Sequence, residues 1–170
     1  MSAELTSADL ATLERFARVV LPSTLDAAAR SGAVDAFARW VAGYEAGAEM
    51  DHGYGFTRLR ETGEHPAAQY GADLADLRRR ARQRFGSDPG SLDDASLRQL
   101  AAQALDSRIE GEAGEALPGR PDSQHALLAL MTHWFRSPSA QDIAYGVRIG
   151  RESCRGLFIG VDGLEPLAGD

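Results

Sequence analysis

The chain has 170 residues, 44% of them hydrophobic and 25% charged, globular proportions that fit one domain and argue against wholesale disorder. Its formal net charge is −7, which argues against nucleic acid as the main partner, because phosphate binding needs a basic face. All 18 basic residues are arginine, and with no asparagine in the chain N-linked glycosylation is excluded.

The first segment, "TSADLATLERFARVVLP", predicts a helix capped by Thr6 or Ser7, with Leu10, Leu13, Ala17 and Val20 on one face and Pro22 as its stop. A second helix is expected over "SGAVDAFARWVAGYEAGAEM", its stripe formed by Val34, Phe37, Ala38, Val41 and Tyr44, with Glu45 at its edge. Residues 50–66 are glycine-rich and mixed in charge, which predicts an ordered loop or short turn. In "AAQYGADLADLRRRARQRFG" the stripe Tyr70, Leu74, Leu77, Ala81 and Phe85 predicts a third helix, closed by Gly86.

"SLDDASLRQLAAQALDSRI" predicts a fourth helix, with Ser91 and Asp94 spaced as a capping box. Residues 110–122 read as a loop. "SQHALLALMTHWFR" follows as a short core helix burying Leu127, Leu128, Met131, Trp134 and Phe135. Ser137-Pro138 breaks it and starts a last helix, "SAQDIAYGVRIGRESCRG". The one strand-like run, "LFIGV" at 157–161, is too short to be more than a lone strand or extended tail. The expected architecture is all-α: a single helical bundle of about six helices over residues 1–170, with an extended C-terminal tail at 157–170.

Motifs for chemistry are sparse. His52, His65, His125 and His133 form no metal-ligand spacing, and His125 and His133 are eight apart, about 12 Å along a helix. "GYGFTR" at 53–58 lacks the third glycine and the preceding strand of a dinucleotide fingerprint, and no phosphate-binding Walker loop occurs. Ser153 lacks the spacing of a nucleophile turn. Cys154, the single cysteine, lies between Arg151 and Arg155, cations that lower a thiol's pKa, but has no assigned histidine base. The basic run "RRRAR" at 78–82, extended by Arg84, reads either as a solvated face or as a contact for an acidic patch on another protein.

The order of these pieces resembles the gluconate 2-dehydrogenase subunit 3 family, the small subunits of flavin-dependent sugar dehydrogenases. The resemblance spans roughly residues 5–165. It rests on the helix ending in "VVLP", on "GAVDAFARWV", on "LADLRRRARQRFG" followed by "SLDDASLRQLAAQAL", and on "LLALMTHWFRSP" leading into a glycine-containing tail. The tail departs from the family's more typical tyrosine-glycine-glycine-asparagine-like stretch, reading "IAYGVRIGRESCRGL", and in this it resembles the branch paired with glycoside 3-dehydrogenases.

The resemblance implies a non-catalytic accessory subunit with no cofactor of its own. It implies a large partner subunit that holds FAD and the substrate-handling histidine, and electrons that leave to a cytochrome c-type or other acceptor. A periplasmic location follows if the chain is exported with its partner or has been trimmed of a signal. The sequence itself has no basic-then-apolar leader and no apolar run of the ~18 residues that span a bilayer, and so by itself fits a cytoplasmic chain.

The tail is expected either to pack back on its own bundle or to dock on a larger subunit, and its arginines either to be solvated or to pair with a partner's carboxylates. Arg148, Arg151 and Arg155 recur at spacings of three and four, one cationic face on a helix. Leu157, Phe158 and Ile159 form an apolar run behind them, and Tyr145 and Phe158 are candidate aromatic anchors. Two other readings stand beside the accessory subunit: a free helical interaction or regulatory protein, and a stand-alone enzyme using Cys154.

Overall fold

The computed structural model describes residues 4–45, 47–53, 56–109 and 125–145. The architecture is all-α, with six α-helices among the described residues: α1 (Ser7–Val20), α2 (Ala27–Ala42), α3 (Ala67–Phe85), α4 (Asp94–Ile109), α5 (Ala126–Phe135) and α6 (Pro138–Tyr145). A two-stranded antiparallel hairpin, β1 (Gly47–Gly53) and β2 (Phe56–Thr62), lies between α2 and α3, and a 3₁₀ turn (Pro89–Ser91) precedes α4. The chain divides after Trp134 into two units.

Helix α1 starts where its side chains can satisfy its orphan amides. Thr6 Oγ1 accepts from the Asp9 amide at 3.2 Å, and Asp9 Oδ2 accepts from the Thr6 amide at 3.1 Å. This is a reciprocal capping box. Its buried face is Asp9, Thr12, Leu13, Phe16 and Ala17, whereas Leu10 and Val20 are half-buried. The expected stripe is therefore rotated toward Phe16, because α1 packs against α2, α3, α4 and the 3₁₀ turn rather than against one neighbour.

Helix α2 begins four residues earlier than expected, where Asp26 Oδ1 accepts from the Ala29 amide at 2.7 Å. It stops at Ala42, so the expected helical reading of residues 47–50 is corrected: they belong to β1. The expected loop at 50–66 is corrected likewise, since most of it is hairpin. The register sets Glu49 and Asp51 opposite Arg60 and Arg58, and Met50 opposite Leu59.

Helix α3 runs as expected and ends at Gly86, whose φ of 68° lies in the left-handed region. The cap of α4 is not Ser91, which the 3₁₀ turn uses. Asp93 takes its place, accepting from the Ser96 amide at 2.8 Å, and that hydrogen bond holds the Asp93 carboxyl below its ordinary pKa.

The core of the first unit is built from completely buried side chains on five helices. These are Leu13 and Phe16 of α1, Val34, Phe37 and Val41 of α2, Tyr70, Leu74 and Leu77 of α3, Leu97 and Leu100 of α4, and Leu127 and Leu130 of α5. Each is worth about 1.5–3 kcal/mol over its exposed state. The inward face of α5 differs from the expected one: Ala126, Leu127, Ala129, Leu130 and Trp134 are buried, Leu128 and Met131 are half-buried, and Phe135 is exposed. Among the described residues no helix is long and apolar enough to cross a membrane.

Candidate functional site

Of the residues expected to face a partner, Tyr145 closes α6, and Arg148, Arg151, Arg155, Leu157, Phe158 and Ile159 lie outside the described residues, as does Cys154. Helix α6 is capped at its start. Ser137 Oγ accepts from the Ala140 amide at 3.2 Å, and Pro138 occupies the first helical position, where its missing N–H is of no consequence. Within this second unit two large apolar side chains are solvent-exposed, Phe135 at 59% and Ile143 at 47%. They are the large hydrophobic side chains left in solvent among the described residues.

The arginine run resolves into separate roles, because successive helical residues point about 100° apart. Arg78 turns inward, donating to Ala8 O at 3.1 Å, Asp9 Oδ1 at 2.9 Å and Thr12 Oγ1 at 3.0 Å. It ties α3 to the first turn of α1. Burial opposes ionisation of Asp9, but hydrogen bonds from Thr6 and Arg78, with the guanidinium charge, outweigh it and hold the carboxyl below its ordinary pKa. Arg79 and Arg80 both pair with Asp76, one on each carboxylate oxygen, and Arg82 pairs with Asp88. The Arg84 guanidinium lies 5.6 Å from the Phe85 ring centroid.

The histidines are likewise separated in role. His125 is the N-cap of α5, its Nδ1 accepting from the Leu127 amide at 3.2 Å. Asp73 of α3 accepts from the Ala126 amide at 3.0 Å, so two buried side chains satisfy the start of α5. His133, two turns on, packs against the rings of Phe37 and Trp40 at 5.7 and 5.8 Å.

Sequence reasoning missed a constellation around His65. Its Nδ1 accepts from the Ala67 amide at 3.3 Å, which leaves the proton on Nε2, and Nε2 is buried without a hydrogen-bond partner. The Tyr44 ring stands edge-on at 5.6 Å, and the Tyr44 hydroxyl donates to Gly63 O at 3.1 Å. Tyr44 in turn contacts Trp40, and Trp40 contacts Phe37, which meets Tyr70 of α3. The usable signal was His65-Pro66 immediately before a helix. The pairing with Tyr44 was invisible, because the hairpin separates the two in sequence.

Comparison with protein-family models, with curated proteins and with solved structures finds no match to this chain.

Proposed function

We propose that this chain is the non-catalytic small subunit of an FAD-dependent sugar or glycoside dehydrogenase, binding and stabilising a larger flavoprotein that holds the cofactor. The observation that carries the reading is the exposure of Phe135 and Ile143, immediately ahead of Tyr145, the arginines 148, 151 and 155, and the apolar run 157–159. Exposed apolar and aromatic side chains followed in sequence by arginines have the composition of the centre of a protein interface. The all-α architecture and the helix order on which the family resemblance rests are in keeping with it. In this reading the partner subunit carries FAD and the catalytic histidine, and a cytochrome c-type protein takes the electrons. The location follows the partner, periplasmic where the two are exported together.

Co-expression with a candidate FAD-dependent large subunit tests the proposal. A tagged copy of this chain is expected to retain a yellow, flavin-bearing larger protein through affinity and sizing columns. Phe135→Ser combined with Ile143→Ser should lower the recovered flavin at least severalfold, with the melting temperature of this chain unchanged, since neither side chain belongs to the core. A large subunit that folds, loads FAD and turns over equally well without this chain overturns the proposal.

A further inference from the structure

Between α3 and α4 lies a groove of about 470 Å³, lined by Asp76, Arg79, Arg80, Gln83, Arg84, Leu100 and Gln103. Its α3 wall is a single helical ridge, since positions 76, 79, 80, 83 and 84 recur at the three- and four-residue spacing of one face. Leu100 is fully buried and forms an apolar floor, while Gln83, Arg84 and Gln103 are exposed along the rims. Three guanidinium groups stand against one carboxylate in a chain of net charge −7.

Asp76 does not cancel this charge so much as arrange it. Its two oxygens engage Arg79 and Arg80 separately, holding both guanidinium groups on the ridge with further N–H groups available to an acceptor. Arg84 follows Arg80 by one turn, about 6 Å along the axis. Alternate side chains of an extended peptide are spaced at about 6.6 Å, which matches that interval. We propose that this groove docks an acidic segment of a partner protein, with carboxylates two residues apart on successive arginines and the Gln83 and Gln103 amides on its backbone.

The arrangement selects among anions. Its cations, Arg79, Arg80 and Arg84, are strung along about 7.5 Å of α3 rather than gathered round a point, which suits single charges spaced along a chain better than one multiply charged phosphate. Asp76 at one end disfavours a dense anion. The proposal uses none of residues 135–159 and does not depend on the flavoprotein reading.

The test is fluorescence anisotropy of the full chain with a fluorescein-labelled synthetic peptide of alternating glycine and glutamate. The glutamate peptide should bind and weaken as salt rises, and its glutamine counterpart should bind about tenfold more weakly. Arg80→Gln with Arg84→Gln should weaken the glutamate peptide by a similar factor, whereas Arg98→Gln on α4, outside the groove, should leave it unchanged. Equal affinity for the two peptides overturns the proposal whatever the variants do, and so does a well-folded double variant that binds like the parent. Inorganic phosphate that protects the chain against thermal unfolding where the peptide does not, or a dimer abolished by the double substitution in a chain that binds no peptide, assigns the groove to another occupant and also overturns it.

Discussion

Asp9 shows how one side chain can serve two elements. It completes the α1 capping box and accepts the Arg78 guanidinium from α3, while only 4% exposed. A carboxyl whose folded pKa lies below its unfolded value adds stability above the unfolded value, and that stability drains as pH falls through the folded one. Because the Asp9 pKa is lowered from 3.8, its contribution is complete at neutral pH and begins to drain only below about pH 4. Asp9→Asn leaves the Thr6 cap in place but loses the charge, so it should lower stability at pH 7 by about 1–3 kcal/mol. The loss should shrink on acidification. Urea unfolding of parent and variant from pH 7 to pH 3 measures both, and two parallel curves would contradict the assignment. The residue scale was only half legible beforehand: Thr6 announced itself as a cap, but nothing in "SADL" could reveal an arginine 69 positions away.

Helix ends were legible where chemistry is local and misread where a neighbour takes over. Gly86 follows an amphipathic run and adopts the left-handed backbone that L-residues resist, with no atom within 4 Å of the position a Cβ would occupy. Gly32 also has open space around it, but lies inside α2 with ordinary helical backbone. Gly86→Ala should therefore destabilise by about 1 kcal/mol, and Gly32→Ala should stabilise by about 0.5–1 kcal/mol. Thermal melts of the two variants, shifted in opposite directions, separate backbone conformation from packing as the cause. Ser91 and the hairpin are the counterexamples. The 3₁₀ turn removes Ser91 from the α4 start, held by Arg15, which donates from Nε to Pro89 O at 3.1 Å and through a second bond to Leu92 O. Strands β1 and β2 mix charge and glycine so evenly that their pairing appears only once the register is known.

At the scale of the first unit, Phe37 joins three helices. It is fully buried on α2, within 5.6 Å of the Tyr70 ring on α3 and 5.7 Å of His133 on α5, and it stacks with Trp40 one turn on. Phe37→Ala removes the centre of that cluster and should destabilise by about 3–5 kcal/mol, read as a fall in the urea midpoint. The loss of near-ultraviolet signal from Trp40 and Tyr70 should precede the loss of helical signal. A cost below about 1 kcal/mol, the scale of an unremarkable substitution, would show that α2, α3 and α5 are joined elsewhere.

By itself the sequence determined that the chain is helical, where α1 begins, that α3 runs to Gly86, and that Ser137-Pro138 opens a new helix. Each of these is a statement about neighbours within about four residues, the range over which caps, glycine backbone and apolar periodicity act. Only the tertiary structure decided which way each stripe turned. Phe16 rather than Leu10 faces inward on α1, and Leu130 rather than Met131 on α5, because burial is settled by the helices on the other side. It also divided the arginine run into an inward, half-buried clamp at Arg78 and an open ridge at Arg79, Arg80 and Arg84, since ion pairs are set by partners that sequence distance conceals.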